Sequence, residues 1–376
     1  MRILNVSALI DRARGGGTAE RTARLSSAMH RSGCDVTVLA TDAGIAASGE
    51  LPSVGGAALN LLHCVNERML LPGNATDQIE RAVEAADIVH LCNHWTVLNL
   101  FAARAARRVG RPYVVCPAGA LPVFGRSRLL KKAYNMMGGR RLVSRAKAWV
   151  AITRRERSDF VPYGVSPELV TVIPNGVDPG DFEPVDTAEW RARHRLDRAP
   201  LVLFVGRLNP IKGPDLLIQA FLAVSGKIPE HTLVIAGADE GELGHLRALA
   251  RPLGERVRFV GFVAGRDKAA AYQAADLVVI PSRQEAMSLV ALEAGACGTP
   301  VLMTDVCGFD EAGSAGAGIV SPDVSVLASG LLDMLSRGDL PVRGERLREM
   351  ILREYTWDAA AARYASLFAR ILREQA

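Results

Sequence analysis

Apolar residues along the chain form two patterns, short continuous runs and longer stretches in which they recur every three or four positions. The short runs predict buried strands at Ile3–Val6, Val36–Ala40, Leu59–Val65, Ile88–Leu91, Tyr113–Cys116, Trp149–Ile152, Val170–Ile173, Leu201–Val205, His231–Ala236, Val257–Val263, Leu277–Ile280 and Val301–Met303. The periodic stretches predict amphipathic helices, among them Thr18–Arg31, Thr76–Ala86, Leu98–Arg108, Ser127–Ser144, Ser288–Ala296 and Trp357–Arg373. Repeated strand–helix units of this kind indicate an α/β protein with parallel sheets that helices cover on both faces.

The strand–helix pattern is interrupted once, near the middle of the chain. Residues 181–198 are irregular and charged, which predicts a linker between domains. We therefore predict a first α/β domain at residues 1–180 and a second α/β domain at residues 199–356. A length of 376 residues agrees with two domains, because single cores rarely grow that large.

Cysteine spacing and hydropathy bear on the compartment. The six cysteines include no Cys-x-x-Cys pair, which argues against a zinc knuckle or a redox dithiol and fits reduced thiols. The first ten residues are too short for the apolar region and cleavage site of a signal peptide and lead directly into a strand. No uninterrupted apolar run approaches 18 residues. We expect a cytoplasmic protein.

Positive charge is concentrated in one segment. Residues 101–160 contain 15 Lys or Arg against two acidic residues, although the whole chain has a net charge of only +5. One interpretation is that basic helices here have ordinary solvated faces. The other is an electropositive surface for an anionic partner, such as the inner face of a membrane, to which the protein would bind peripherally.

Two cations follow the first strand of the second series. Leu201–Val205 leads into Gly206 and Arg207, and Lys212 comes five residues after that arginine, directly before Gly213-Pro214 and an apolar-periodic helix. The amino end of a helix favours anions, and arginine and lysine together can hold a diphosphate.

Two glutamates surround a second helix start. The strand Leu277–Ile280 is followed by Glu285 in a loop, and Glu293 lies eight residues later in the helix that Ser288 is expected to cap. The carboxyl ends of parallel strands are where open α/β sheets bind ligands. Together with the Val-Gly-Arg-Leu-x3-Lys-Gly loop, the Glu-x7-Glu, Ala-Cys-Gly-Thr-Pro-Val and Gly-x-x-Glu motifs resemble the donor site of the retaining glycosyltransferases of family 4.

The resemblance implies a GT-B fold, in which two Rossmann-like domains face each other across a cleft. The first domain would form the acceptor side, and the terminal helix, residues 357–376, would cross back onto it. The second would bind a nucleotide-sugar. The implied catalytic residues are Glu285, Arg207 and Lys212; the implied donor-binding set is Gly206, Arg207, Lys212, Phe262, Val263, Glu285, Met287, Ser288, Leu289 and Glu293. Glu293 would bind the ribose, and no metal or other cofactor would be required.

Three regions of the first domain are predicted to line the acceptor side. Gly16 and Gly17 open a helix after the first strand, either as a simple connector or as backbone that contacts a ligand. His94 lies just past a strand end and is a candidate acid or base, whereas His90, inside the strand, is expected to be a core residue. Gly119 follows Ala118, which occupies the position where similar enzymes often have a histidine.

The resulting hypothesis is a retaining hexosyltransferase that uses a UDP- or GDP-linked sugar and a saccharide or lipid-linked acceptor, in cell-surface polysaccharide or glycolipid biosynthesis. Two alternatives stay open: a disaccharide phosphorylase of the same fold, and a non-catalytic nucleotide-sugar-binding protein. A nucleic-acid partner is not expected, because the basic segment contains few aromatic residues for base stacking.

Overall fold

A computed structural model describes residues 1–45, 51–123, 127–196 and 199–375. The chain forms two compact units, Met1–Asn175 with Trp357–Ala376, and Gly176–Thr356. Parts of three sequence predictions fall outside the described residues: 124–126 of the basic segment, 197–198 of the linker and Ala376 of the terminal helix.

The first unit is built on a seven-stranded parallel sheet. Its strands are β1 Arg2–Val6, β2 Asp35–Thr41, β3 Ala58–Leu62, β6 Ile88–Cys92, β7 Tyr113–Cys116, β8 Ala148–Ala151 and β9 Val170–Val172, in the order β3-β2-β1-β6-β7-β8-β9, beside a small antiparallel pair, β4 Cys64–Asn66 and β5 Leu71–Pro72. The central strands are apolar and buried because helices cover both faces. The strand order reverses between β1 and β6, as in doubly wound sheets.

The helices of this unit follow the predicted pattern, but one predicted helix and one predicted strand are divided. They are α1 Arg12–Arg31, α2 Thr76–Ala85, α3 Val97–Arg108, α4 Arg128–Tyr134 and α5 Arg140–Ser144. The predicted basic helix Ser127–Ser144 is interrupted between α4 and α5 by a π-helical turn at Asn135–Gly139. The predicted strand Leu59–Val65 is divided at His63, because β3 joins the large sheet whereas β4 pairs with β5.

The second unit is built on a six-stranded parallel sheet. Its strands are β10 Leu201–Val205, β11 Thr232–Ala236, β12 Val257–Gly261, β13 Leu277–Ile280, β14 Val301–Thr304 and β15 Gly318–Val320, in the order β12-β11-β10-β13-β14-β15. Its helices are α6 Ala188–Arg193, α7 Pro214–Val224, α8 Leu243–Ala250, α9 Gly265–Ala274, α10 Leu289–Ala296, α11 Val324–Ser336 and α12 Leu340–Glu354. The strand order reverses between β10 and β13, so a ligand-binding crevice is expected at the carboxyl ends of these two strands.

Residues 181–196, the described part of the predicted linker, are an ordered part of the second unit. The structure has helix α6 there, and the Trp190 side chain is almost fully buried. Gln273 of α9 fixes the preceding chain, because its amide donates to the Glu183 carbonyl oxygen and accepts from the Val185 amide. The prolines and charges that predicted an irregular linker gave no indication of this packing.

The terminal helix, α13 Trp357–Arg373, belongs to the first unit. It buries an apolar face against α1, and Asp358 forms a 2.7 Å ion pair with Arg31. The buried Arg21 guanidinium of α1 donates to the Tyr364 hydroxyl at 2.8 Å and to the Asn175 side-chain oxygen at 3.0 Å. One buried arginine thus joins the terminal helix to the last residue of the unit's first segment.

Candidate active site

The loop between β10 and α7, residues 206–213, is packed against the segment that follows β13. Gly213 has a φ of +69°, and a Cβ atom added there would lie 2.2 Å from the Pro281 carbonyl oxygen. Only glycine can therefore occupy this position without moving the backbone. The close approach brings the end of the loop, with Lys212, next to the β13 loop that contains Glu285.

Lys212 and Glu285 form the central ion pair of this region. The Lys212 Nζ atom lies 2.6 Å from Glu285 Oε1, and the Ser282 hydroxyl donates to Glu285 Oε2 at 3.0 Å. Both charged side chains are largely shielded from solvent, with 22% and 11% exposed. The Lys212 amide also donates to the Asn209 side-chain oxygen at 2.9 Å. The ammonium and the carboxylate are consequently held in fixed positions at the carboxyl ends of β10 and β13.

Arg207 is more exposed than Lys212 and has a different carboxylate partner. Its Nη1 atom lies 2.8 Å from Glu240 Oε1, in the loop after β11, and 56% of its side chain is exposed. The side-chain amide of Asn209 donates to the other carboxylate oxygen of Glu240 at 2.6 Å. This second bond and the arginine hold the pKa of Glu240 below its ordinary value. The two predicted diphosphate-binding cations thus lie on one loop, each with its own carboxylate.

Glu293 of α10 is surrounded by donors from α9. Lys268 Nζ lies 2.7 Å from Glu293 Oε1, and the Tyr272 hydroxyl donates to Oε2 at 2.7 Å. Burial, with the adjacent Glu293 charge, raises the pKa of Tyr272 far above its usual range, so this hydroxyl keeps its proton. The sequence reasoning missed Lys268 and Tyr272, since nothing in their own segment links them to Glu293.

The remaining predicted donor-site residues follow strand ends of the same sheet. Ser288 caps α10, accepting from the Ala291 amide at 3.3 Å, as the sequence predicts. Met287 before it is buried, whereas Leu289 after it is partly exposed. Just after β12, Phe262 is 75% exposed and Val263 is buried. Two predicted side chains, Met287 and Val263, are thus packed inside the unit, so only their backbone groups could contact a donor.

The loop after β14 packs closely against the Met287 segment. Gly308 has a φ of +67°, and a Cβ atom added there would lie 2.0 Å from the Ala286 carbonyl oxygen. The Ser288 amide donates to the Cys307 carbonyl oxygen at 2.9 Å. These contacts fix the backbone at the start of α10.

Two of the predicted acceptor-side regions have backbone in unusual conformations. Helical structure in α1 already begins at Arg12, six residues before the predicted start, and is broken at Gly16, whose φ and ψ are 51° and −136°. Gly17 is exposed after this break. Ala118 has a φ of +51°, rare for a residue with a Cβ atom, and is followed by Gly119.

His94 is fully buried, which argues against the predicted acid–base role. Its ring packs edge-on against Trp95, Tyr134 and Tyr163, and Nε2 contacts the Asn135 side-chain oxygen at 3.3 Å. Burial lowers the pKa of His94 to about 4, so the ring is neutral at pH 7. Its Nδ1 atom has no hydrogen-bond partner among the described residues. His90 is a core residue, as predicted, with Nδ1 3.0 Å from the Asn5 side-chain oxygen.

Glu156 is a buried carboxyl group that the sequence reasoning counted only as a charge. One oxygen accepts from the Gly119 amide and the other from the Ile152 amide, each at 2.6 Å. Burial raises the pKa of Glu156 to about 7, although both amide bonds favour the ionised form. Glu156 therefore holds the backbone of the predicted acceptor-side loop at Gly119 and titrates near neutral pH.

Two searches of the described residues bear on metals and membranes. No three His, Cys, Asp or Glu side chains within the described ranges converge in a way that could hold a metal ion. The independence from metal that the resemblance implies stays a prediction. No helix in the described part of the chain is both long enough and apolar enough to cross a bilayer.

Comparison with known proteins identifies the family. Residues 16–176 match the model of the glycosyl transferase 4-like domain, and residues 186–349 match the model of glycosyl transferases group 1. A D-inositol 3-phosphate glycosyltransferase of Frankia alni is 32% identical over 295 residues, covering 73% of this chain and 68% of that protein. The chain belongs to the group 1 glycosyltransferases.

Other relatives match over shorter stretches. The D-inositol 3-phosphate glycosyltransferase of Salinispora tropica is 40% identical over 196 residues, and that of Catenulispora acidiphila, numbered 2, is 37% identical over 258 residues. These matches cover 47% and 64% of this chain, and only 41% and 60% of the two relatives. The group 1 glycosyltransferase described here thus matches about half the length of these relatives.

Solved structures establish the fold of this glycosyltransferase. Sucrose-phosphate synthase from Thermosynechococcus elongatus superimposes with a TM-score of 0.78 at 21% identity over the full length of both chains. HepE of Anabaena, in complex with UDP and glucose, also has a TM-score of 0.78, at 20% identity, over 98% of this chain and 100% of that one. The predicted GT-B fold, with two Rossmann-like parallel-sheet domains, is confirmed.

Proposed function

We propose that this glycosyltransferase moves a hexosyl group from a UDP- or GDP-linked sugar to an acceptor hydroxyl, with retention of the anomeric configuration. The observation that carries the proposal is the Lys212–Glu285 pair, supported by Ser282, at the point where the strand order of the second sheet reverses. An ammonium and a carboxylate fixed there meet the two electrostatic demands of the reaction, at the leaving group and at the sugar.

The leaving group requires positive charge. When the bond between the anomeric carbon and the β-phosphate oxygen breaks, negative charge develops on the diphosphate. Lys212 has three N–H donors and Arg207 has five, and among the residues that the structure describes Glu285 uses one of the first and Glu240 one of the second. Donors therefore remain on both side chains for phosphate oxygens, and neither cation must leave its carboxylate to bind the donor.

The sugar requires a group near its oxocarbenium-like centre. Glu285 would accept hydrogen bonds from donor-sugar hydroxyls while its second oxygen stays bonded to Ser282. In the proposed front-face reaction, the acceptor oxygen bonds to the anomeric carbon on the face that the phosphate leaves. The acceptor proton passes to the departing phosphate oxygen, and no glycosyl-enzyme bond forms.

The nucleoside would be held at the start and first turns of α10. Glu293 would accept hydrogen bonds from the ribose hydroxyls, with Lys268 and Tyr272 fixing the carboxylate. The exposed Phe262 and the backbone at Val263 are proposed to contact the base. The backbone amide of Leu289 would lie near the phosphates, as expected for a helix amino terminus, and the Ser288 amide, which donates to the Cys307 carbonyl oxygen, would hold this backbone in place.

The acceptor is proposed to bind the first unit near Gly16, Gly17 and Gly119, in cell-surface polysaccharide or glycolipid biosynthesis. His94 is left out of the reacting groups because it is buried. The relatives named above are D-inositol 3-phosphate glycosyltransferases. D-inositol 3-phosphate should therefore be tested as an acceptor beside saccharide and lipid-linked acceptors.

A membrane partner is proposed for one surface of the first unit, residues 128–141. Four large apolar side chains there are strongly exposed, namely Leu129, Leu130, Met136 and Met137, with exposed fractions from 62% to 88%. They alternate with five cations, Arg128, Lys131, Lys132, Arg140 and Arg141. Apolar side chains among cations are suited to an anionic bilayer surface, where the headgroups attract the charges and the interface takes up the apolar groups.

The function is tested by a transfer assay that reports stereochemistry. The purified protein is incubated with UDP- and GDP-linked glucose, galactose, mannose and N-acetylglucosamine, together with an acceptor panel, and the product is examined by NMR. We expect one donor class to react with retention. Lys212→Ala is expected to lower kcat by about two to three orders of magnitude, because it removes a donor to the developing charge.

Lys227→Ala is the matched control, since it removes the charge of an exposed lysine just after α7 and is expected to leave the rate unchanged. An inverted product would contradict the proposed stereochemistry. A glycosyl adduct on Glu285, detected by mass spectrometry, would contradict the front-face reaction. Release of hexose 1-phosphate only when phosphate is added would favour the phosphorylase.

A further inference from the structure

We infer that Glu240 is a positioning residue of the diphosphate site, which orients Arg207 directly and Lys212 through Asn209. Its carboxylate joins two side chains of the β10–α7 loop, accepting from Arg207 at 2.8 Å and from Asn209 at 2.6 Å. Asn209 in turn accepts from the Lys212 amide at 2.9 Å. This inference rests on the proposed donor site and adds a residue to it.

The backbone around Glu240 is fixed to the same loop. Leu208 and Asp239 form a parallel bridge, in which the Leu208 amide donates to the Ala238 carbonyl oxygen at 2.8 Å and the Glu240 amide to the Leu208 carbonyl oxygen at 3.3 Å. Asp239 anchors the loop from the other side, because one of its oxygens accepts from the amides of residues 241, 242 and 243 at 2.8–3.0 Å. The backbone that carries the Glu240 side chain is therefore fixed on both sides of this residue.

Folding stability alone gives no reason for this ion pair. Arg207 and Glu240 are 56% and 39% exposed, and ion pairs between such exposed groups contribute little to the stability of a fold. A long arginine side chain at a strand end, however, has many rotamers, and diphosphate binding would have to restrict them. A carboxylate that uses only one N–H removes part of that cost before binding and leaves the rest of the guanidinium fork for phosphate.

Lys212 depends on Glu240 in a different way. Its ammonium is held by Glu285, whereas its backbone is held by Asn209, which Glu240 also contacts. Loss of Glu240 would free the Asn209 side chain to rotate and would loosen the loop immediately before Gly213. The Glu240 carboxylate thus influences both Arg207 and Lys212, although it is not among the residues that are proposed to contact the donor.

The test measures nucleotide affinity by calorimetry, with UDP and GDP each compared with its monophosphate. We expect Glu240→Ala to weaken binding of the diphosphate roughly tenfold, the change expected when binding itself has to immobilise a long arginine side chain. Monophosphate affinity should stay near the wild-type value. A merely structural role would instead weaken the binding of the diphosphate and of the monophosphate to the same extent. Thermal denaturation of each variant checks that it is folded.

Glu242→Ala is the matched control, because it removes a carboxylate of the same loop that makes no capping hydrogen bond to the helix it precedes. A double-mutant cycle with Arg207→Ala separates direct from indirect effects. If Glu240 acts through Arg207, its removal costs less affinity in the Arg207→Ala protein than in the wild type.

The outcomes distinguish this inference from the proposed function. If the wild type binds a diphosphate, Arg207→Ala weakens it, and Glu240→Ala has no effect, tightens binding or behaves like Glu242→Ala, the positioning role is overturned while the donor site stands. If the wild type binds neither UDP nor GDP, the donor site itself fails, and the role of Glu240 fails with it.

Discussion

At the scale of single residues, the carboxyl groups of this glycosyltransferase differ in their surroundings. Glu285 and Glu293 are paired with lysines, whereas the carboxyl group of Glu156 is buried and accepts from two backbone amides, those of Gly119 and Ile152. The sequence predicted the first two because they belong to recognisable motifs. It could not predict Glu156, since the burial that raises its pKa comes from chain segments distant in sequence.

Glu156 should make the stability of the protein depend on pH. Its pKa is about 7 in the folded state and near 4.5 when unfolded, so the unfolded chain loses its proton first as pH rises. The contribution of Glu156 to the free energy of unfolding is therefore fully present below about pH 4.5 and is lost as pH rises through about 7. Glu156→Gln, which cannot ionise, should remove this loss.

Urea denaturation of the wild type and Glu156→Gln at pH 5 and pH 8 measures the effect. Relative to the variant, the wild type should lose on the order of 1–3 kcal/mol of unfolding free energy between the two pH values. Glu168→Gln, at a fully exposed position of the same unit, serves as the control. Parallel pH dependence in wild type and Glu156→Gln would show that Glu156 does not titrate in this range.

At the scale of elements, prediction succeeded where one segment contains its own signal. The apolar runs at Tyr113–Cys116, Leu201–Val205 and Leu277–Ile280 form strands with the predicted bounds. Prediction failed where contacts with other elements determine the structure of a segment. The strand β15 is only three residues long, and helix α6 follows a segment rich in proline, but both are stabilised by contacts with other elements of the second unit.

The element formed by residues 128–141 carries a prediction about membranes. Met136→Ser combined with Leu129→Ser should reduce co-sedimentation with vesicles of phosphatidylglycerol and phosphatidylcholine about tenfold or more, because two apolar groups no longer enter the interface. Leu169→Ser removes an exposed leucine of the same unit outside this surface and should have no effect.

The vesicle composition provides the second half of this test. Wild-type binding should rise with the fraction of anionic lipid and fall with salt, since the five cations contribute through their attraction to headgroups. Binding that ignores lipid charge, or a double variant that binds as well as the wild type, would contradict a membrane role for this surface.

At the scale of the whole molecule, the sequence predicted the fold and the family better than the details of the site. Two strand–helix series and a few loop motifs were enough for the GT-B fold, which the comparisons confirm. The partners of the predicted residues, Ser282 for Glu285, Lys268 for Glu293 and Glu240 for Arg207, emerged only from the three-dimensional structure. Two of these partners lie on elements other than those of the residues they support.

The proposed reaction requires that the second unit bind a nucleotide-sugar through Lys212 and Glu285. Thermal denaturation with UDP, GDP, ADP and their sugar conjugates at millimolar concentration tests it most directly. A ligand at 100 times its dissociation constant adds about 2.7 kcal/mol to the stability of the native state, which raises the Tm by several degrees. We predict such a shift for one base, lost in Lys212→Ala and kept in Lys227→Ala. The absence of any nucleotide-dependent shift in the wild type would contradict nucleotide-sugar binding by the second unit.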